Sequence, residues 1–182
     1  MKKMILDTFG IILLLMAGMN GHTQKVYMKV EGTKTGIIKD QNAPAKFPDR
    51  IELNGYSFET SSAGGPASGI GIATGRRTRT PLTVIKNNGQ SSILLFNCST
   101  TNEVLKTVII EVYKTNTTGN EVLEQTITLT NAAVSYFKQS FDNSSGPGEV
   151  KGPKDEIRFT YQKINITYIN GGVTAEDSWN SN

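Results

Sequence analysis

Apolar and polar residues alternate along much of the chain, and this period of two is typical of half-buried β-strands. In the segment 25–31, Val26, Met28 and Val30 share one side, whereas charged or polar residues share the other. Similar runs predict further strands over 81–86, 105–114 and 133–141. The pattern therefore predicts an all-β protein whose strands each bury one side.

The most regular alternation covers 121–130, after a hairpin turn predicted over 115–120. In that turn Gly119 and Asn120 suit positive φ. Three apolar side chains are predicted to point inward, namely Leu123, Ile127 and Leu129. The remaining positions form a candidate polar lumen or solvent face, namely Glu124, Thr126, Thr128 and Thr130.

Two segments change the side on which their apolar residues lie. In 50–60, a bulge at Asn54 and Gly55 would bring four apolar side chains to the core. In 156–169, a bulge or bend near 162–163 would reconcile the two halves, as at a barrel corner. The four side chains of the first segment are Ile51, Leu53, Tyr56 and Phe58.

One helix is predicted, over 87–98, because Asn87, Asn88 and Ser91 offer oxygens for its first free N–H groups. The helix is short, so docking on the sheet must stabilise it. Its expected apolar surface consists of Ile93, Leu94, Leu95, Phe96 and Cys98. The elements together predict a compact antiparallel β-barrel or sandwich with one short helix, in a single domain over 24–182.

The segment 61–79 is a long loop of small residues, and such a loop in a compact domain is functional or disordered. We expect it to contact a neighbouring subunit. The candidate contact residues are Gly64, Gly65, Gly69, Gly71, Gly75, Arg76, Arg77 and Arg79. The three arginines predict a solvated basic loop, with a phosphate or an acidic partner as the alternative. The glycine spacing fits neither a dinucleotide fingerprint nor a P-loop.

The first 23 residues predict a secretory signal peptide. Lys2 and Lys3 precede an unbroken apolar run over 11–16, which is followed by small residues. The run is too short for a stable membrane anchor. Asp7 interrupts the apolar region and weakens this interpretation.

The sequence therefore leaves two alternatives for the N-terminal residue of the native protein. Cleavage after Gly21 or Thr23 would release the chain into the periplasm or beyond. Translation from Met19 would instead give a leaderless, cytoplasmic chain that begins just ahead of the first strand.

Composition excludes several function classes. The formal net charge is +3, which makes no case for nucleic-acid binding. The sole histidine, His22, lies beside the predicted cleavage point, so histidine-based catalytic or metal sites are nearly excluded. Cys98 is the only cysteine and is expected to be a small core residue without a disulfide. The adjacent carboxylates at 155–156 and 176–177 give a very weak acid–base signal.

A set of short motifs occurs in order along nearly the whole mature chain, namely 27–32, 51–58, 81–86, 91–99, 126–132, 134–135, 155–164 and Trp179. These motifs resemble those of the haemolysin-coregulated protein (Hcp) family of type VI secretion. The helix segment of that family usually opens with Asp and Ser-Pro, where this chain has Asn88, Ser91 and Ser92. The family normally has no export signal.

The resemblance implies a small β-barrel that closes into six-membered rings, which stack into a tube driven out by a contracting sheath. The tube carries or chaperones effectors. It implies no catalysis and no cofactor, and its partners are further copies of the chain, effectors and other secretion components. Two hypotheses follow: a ring component of this kind, or an exported binding or adhesin-like module that keeps the fold without the injection role.

Overall fold

The computed structural model describes residues 24–41, 43–62, 77–141 and 152–179 of the chain. The predicted signal peptide 1–23, the alternative start at Met19 and His22 lie outside the described residues. So does most of the predicted contact loop, over 63–76. These remain predictions.

Antiparallel strands dominate the described chain, as the alternation predicts, and they surround one helix. In chain order the elements are β1 (Gln24–Gly32), β2 (Ile37–Ile38), β3 (Ile51–Leu53), β4 (Gly55–Ser57), β5 (Thr60–Ser62), β6 (Arg77–Arg79), β7 (Leu82–Asn87), α1 (Gln90–Thr100), β8 (Leu105–Thr115), β9 (Glu121–Phe141), β10 (Pro153–Tyr168), a 3-10 turn (Ile169–Gly171) and β11 (Val173–Ser178).

One large sheet holds most of these strands in the order β2-β1-β8-β9-β10-β7-β4, with β3 on β1 and β11 on β10. β5 and β6 form a separate pair. Because β3 pairs with β1 and β4 pairs with β7, one segment of chain links both ends of the sheet. The sheet thus curls around one core, and the predicted barrel-like all-β fold with one short helix is confirmed.

The first predicted change of side is confirmed, but its cause differs from a simple bulge. Ile51 and Leu53 are buried, and Tyr56 and Phe58 pack against the same core. Between them the chain changes partner from β1 to β7, and the backbone N–H of Asn54 donates to Ile85 O at 2.8 Å. A corner between two strand pairings therefore turns all four side chains inward.

The second change of side is a bend near 162, as predicted. Tyr161 and Ile164 in β10 are both buried, whereas Gln162 between them is exposed. Across the ladder, Asn131 in β9 has a φ of 49° and donates from Nδ2 to Gln162 Oε1 at 2.7 Å. The register is continuous here; the irregularity between β9 and β10 lies at Arg158 and Phe159 instead.

The same bend reaches β8, where Leu105 and Val108 are both buried on opposite parities. It also explains why the two strands predicted over 121–130 and 133–141 are one. Asn131 bends β9 without ending it, so the strand runs for 21 residues. A bend shared by neighbouring strands preserves their ladder, whereas a bulge in one would shift it.

The β8–β9 hairpin is confirmed, with one difference inside it. Gly119 has a φ of +81°, as expected, whereas Asn120 does not adopt positive φ. The register shifts between Val112 and Tyr113, which gives β9 one additional residue, Glu124. Ile127 and Leu129 are buried as predicted, but Leu123 lies opposite Tyr113, outside the main core, because the bulge reverses its side.

The helix forms where it was predicted, although its first turn is held differently. It begins at Gln90, after an extended Gly89, and neither Asn87 nor Asn88 caps it. The N–H of Ser91 donates to Asp40 Oδ1 at 2.8 Å, and Gly89 N–H donates to Ser92 Oγ at 2.9 Å. Its capping carboxylate therefore comes from a distant segment.

Candidate assembly surfaces

A polar wall covers the outward side of β8, β9 and β10. Thr126, Thr128 and Thr130 point away from the buried Ile127 and Leu129, as predicted, and all three are half-buried. Each of these threonines pairs with one residue of β8 and one residue of β10, and each such set of three is called a rung. The rungs are Thr107, Thr130 and Lys163; Ile109, Thr128 and Asn165; and Glu111, Thr126 and Thr167.

Hydrogen bonds extend this wall onto β11. Thr167 Oγ1 donates to Asn165 Oδ1 at 3.1 Å and lies 3.1 Å from Thr174 Oγ1. Lys163 forms an ion pair with Glu176 at 2.7 Å. Glu124, predicted for the same face, is instead the bulge residue and accepts a bond from Tyr168 OH at 3.4 Å. The wall is thus a network of mostly neutral polar groups.

One end of the outward side is covered by the chain itself. Arg50 donates from Nε and Nη2 to the carboxylate of Glu111 at 2.8 and 2.9 Å. Beside this pair, the rings of Tyr27, Phe47 and Tyr113 contact one another, with centroids 5.0–5.7 Å apart. Burial and the neighbouring Glu111 carboxylate raise the pKa of Tyr113 to about 12.

Arg79, which was predicted to be part of the loop over 61–79, lies in β6 and joins this strand to the C-terminal strand. Its guanidinium pairs with Asp177, donates to Ser178 O at 3.0 Å, and lies 4.9 Å from the ring centre of Trp179. The side chain is 8% exposed. The prediction of a solvated basic loop is therefore wrong at Arg79, because the β5–β6 pairing and Asp177 hold this residue against its own chain. Whether the loop contacts a neighbouring subunit stays a prediction.

A buried charge cluster holds the start of α1. Lys86 and Asp155 are both fully buried, with Lys86 Nζ 3.5 Å from Asp155 Oδ2. Lys86 also donates to Ser92 Oγ at 2.9 Å, and Ser92 donates to Asp155. Sequence reasoning missed this cluster. The sequence did contain a signal for this cluster. Lys86 continues the alternation of Leu82 and Val84, so its side chain faces the core as theirs do.

At the other end of α1, backbone N–H groups and a hydroxyl group hold a carboxylate. Glu103 accepts from the N–H groups of Lys34 and Thr35 at 2.7 and 2.8 Å, and from Thr35 Oγ1 at 2.7 Å. Burial raises its pKa, but these bonds outweigh burial and bring the pKa to about 2. Cys98 lies beside it, fully buried in α1 as predicted, and burial raises the pKa of the thiol.

Within the described part of the chain, the side chains form no group of three or more histidine, cysteine or acidic residues suited to a metal ion. In the same residues, no helix combines the length and apolar character needed to cross a membrane.

Comparison with known proteins agrees with this architecture. A protein-family model described as type VI secretion system effector, Hcp, matches residues 27–168. The "Major exported protein" of Pseudomonas aeruginosa is 28% identical over 165 residues, covering 85% of this chain and 95% of that protein.

Solved structures share the fold. An Hcp protein crystal structure aligns with a TM-score of 0.78 and 20% identity, covering 88% of this chain and all of the other. The Hcp1 protein of E. coli EAEC 042 gives 0.73 and 23%, covering 85% and 98%. The secreted protein Hcp3 of Pseudomonas aeruginosa gives 0.68 and 23%, covering 87% and 100%. The chain therefore belongs to the Hcp family, the tube proteins of type VI secretion.

Proposed function

We propose that this chain assembles into closed rings, with six copies as the expected order, and that the rings stack into a tube that carries effectors. The family match over residues 27–168 carries this proposal. Identical subunits form rings through two different surfaces whose rotation closes. The described barrel adds a polar wall, in which Thr167 forms hydrogen bonds with Asn165 and Thr174 of the same chain.

The direct test is the mass of the assembled protein. A chain covering 24–182 should sediment as a closed oligomer and show rings in electron micrographs. The same measurement on a chain starting at Met19 controls for the N-terminus. A protein that stays strictly monomeric at high concentration would contradict the proposed ring and favour the exported binding module.

We assign the polar wall to the lumen of the ring. Threonine and asparagine side chains keep water bound, and so accept varied cargo surfaces without strong preference. Thr128→Arg should then leave the ring intact and reduce the amount of effector that co-purifies with it. Thr118→Arg, in the exposed β8–β9 turn, is the matched control. Equal recovery of effector with both variants would place the wall elsewhere.

The predicted loop over 61–79 is proposed as a subunit contact, supported by its length and its glycines. A Gly-Ser segment of equal length in place of 64–75 should keep the melting temperature and abolish ring formation or stacking. Unfolding of this variant would mean that the loop is structural.

Export through the N-terminal segment is proposed on its sequence and on the exported relative. The N-terminal residue of the native protein decides between the two routes. His22 or Gln24 would mean cleavage, and Met19 would mean a cytoplasmic subunit that leaves only by type VI secretion. An intact Met1 with membrane retention would contradict both.

A further inference from the structure

The buried core stops short of the barrel end that carries the β8–β9 turn. Core-facing residues of a strand recur at every second position, so this side can be followed beyond the last buried residue. In β10, Ile164 is buried, Ile166 packs against the core, and Tyr168 continues the same side but is 43% exposed. Its partner in β11, Val173, is 65% exposed. The core-facing side of this hairpin therefore extends past the core.

β9 contributes a third exposed residue to the same side. Val122 pairs with Lys114, which continues the side of β8 that holds the buried Ile110. Val122 is 46% exposed, and it lines a cleft of about 300 Å³ together with Asn170 of the β10–β11 connection. We name Val122, Tyr168 and Val173 the barrel-end surface.

A cleft of about 180 Å³ adjoins the barrel-end surface. Its lining includes Phe58, Ile166 and Ala175. Ile166 pairs with Ala175, and Ala175 lies two residues from Val173 on the same side of β11. Apolar surface therefore continues from this cleft to the end of the barrel, which suits a segment with several apolar side chains.

The N-terminal segment joins the barrel at the same end. Gln24, the first described residue, pairs with Lys114, which pairs with Val122 on its other side. Neighbouring strands are about 4.8 Å apart, so Gln24 lies about 10 Å from Val122 across the sheet. Residues 17–23 connect Gln24 to the apolar run over 11–16, and a connection of that length spans at most about 25 Å. The run can therefore reach the barrel-end surface of its own chain.

We propose that, in a chain that retains residues 1–23, the apolar run over 11–16 docks on the barrel-end surface. The run carries no charge, so its transfer from water to an apolar surface is favourable. A short tether holds it near the surface at an effective concentration on the order of millimolar. The contact within one chain is thus favoured over a contact with a second copy at lower protein concentrations.

Docking would give the N-terminal segment two outcomes. The apolar run is the part of the segment that an export route recognises, and a barrel that folds first would cover it. Export would then require capture of the chain before it folds, whereas a folded chain would keep its run away from the membrane. This inference rests on the proposed N-terminal segment, because a start at Met19 would remove the run. It does not depend on the proposed ring, because the contact lies within one chain.

Engineered thiols test the contact in the full-length chain. The protein is made by cell-free synthesis without membranes, so that residues 1–23 stay attached, and it carries Cys98→Ser. Leu14→Cys combined with Val173→Cys should form an intramolecular disulfide on oxidation, at least tenfold faster than the control pair. That control combines Leu14→Cys with Ile37→Cys, because Ile37 is exposed but pairs with Glu31 at the opposite end of β1.

Two results of the oxidation would overturn the docking. Equal rates for the two pairs would mean that the run has no preferred place on the barrel. Cross-linked dimers in place of cross-linked monomers would mean that a second copy takes the surface. Either result would leave the proposed ring standing, and a native N-terminus at Gln24 would still support export.

Alkylation tests the docking without a cross-link. In the same background, the thiol of Leu14→Cys should react at least tenfold faster when Val173→Glu is added than when Ile37→Glu is added, with equal circular dichroism for both. Equal rates would contradict the docking. Vesicles of phosphatidylethanolamine and phosphatidylglycerol should leave the folded full-length chain in the supernatant. Sedimentation with these vesicles would mean that the membrane binds the run in preference to the barrel, which would also overturn the proposal.

Discussion

The two ends of α1 are both held by buried carboxylates, but the charges are balanced in different ways. At the start, Asp155 faces the ammonium group of Lys86, and both side chains are fully buried. Asp40 Oδ2 also lies 3.8 Å from Lys86 Nζ. Beyond the end of the helix, the described hydrogen-bond donors to the Glu103 carboxylate are two backbone N–H groups, the Thr35 hydroxyl and the Cys98 thiol. One site therefore joins an ammonium group to two carboxylates, and the other solvates one charge with dipoles.

The difference determines what happens when one group is removed. Deleting one member of a buried ion pair leaves the other charge buried without compensation. Deleting a carboxylate that only dipoles satisfy leaves neutral donors, which cost less to bury and are more easily hydrated. The start of the helix is therefore expected to be the more sensitive end.

Asp155→Ala should give the largest loss of stability, about 3 kcal/mol, because it leaves the buried Lys86 ammonium with only the Asp40 carboxylate, 3.8 Å away and partly exposed, as its ionic partner. Denaturant unfolding measures this loss. Lys106→Ala is the control, because the ion pair of Lys106 with Glu31 is exposed. Equal losses for the two variants would contradict the buried pair.

The double substitution Lys86→Met with Asp155→Leu sharpens this test. Replacing both charges with apolar groups should cost much less than the sum of the two single changes. A double-mutant cycle on the free energy of unfolding gives the coupling. Additive costs would mean that the two charges act independently.

Glu103→Gln should cost less than Asp155→Ala, on the order of 1–3 kcal/mol, the cost of leaving a buried donor unsatisfied. The amide keeps the shape but has one acceptor where the carboxylate has two. Glu31→Gln, at an exposed pair, is the control. A loss larger than that of Asp155→Ala would reverse the comparison between the two ends.

Lowering the pH should reduce the free energy of unfolding by protonating Glu103. Its folded pKa is about 2, below its ordinary value of 4.5, so the folded state binds its proton less readily than the unfolded state. The stabilisation is therefore complete above about pH 5 and is lost as the pH falls towards 2. The difference in the free energy of unfolding between the wild type and Glu103→Gln, measured at each pH, isolates the contribution of this carboxylate. A difference that does not shrink on acidification would contradict the low pKa.

Cys98→Ser should have the smallest effect, about 1 kcal/mol, and should leave assembly unchanged. The thiol lies 3.6 Å from Glu103 Oε2 and 3.8 Å from Thr35 Oγ1, so a serine hydroxyl there can still donate to the carboxylate. Alkylation of the native thiol should be slow, because it is buried and its pKa is raised. Rapid alkylation would contradict this assignment.

Particular residues show how far the sequence pattern reaches. The alternation correctly placed Met28, Val30, Ile127 and Leu129 in the core, because a strand with one buried side must repeat every second residue. It misplaced Leu123, because the bulge at Glu124 depends on how β8 and β9 align. It also assigned Ile93 and Phe96 to the docked side of α1, because a short helix with apolar residues on several sides does not reveal which side is buried.

The sequence by itself determined the all-β class, the position of the helix, the polar parity of β9 and the family resemblance, because all of these depend on neighbouring residues along the chain. The tertiary structure alone decided which distant groups meet. Lys86 with Asp155, Glu103 with Thr35 and Arg79 with Asp177 are each separated by more than 60 residues. Such contacts form because the curled sheet brings remote strands together, and periodicity contains no information about that distance.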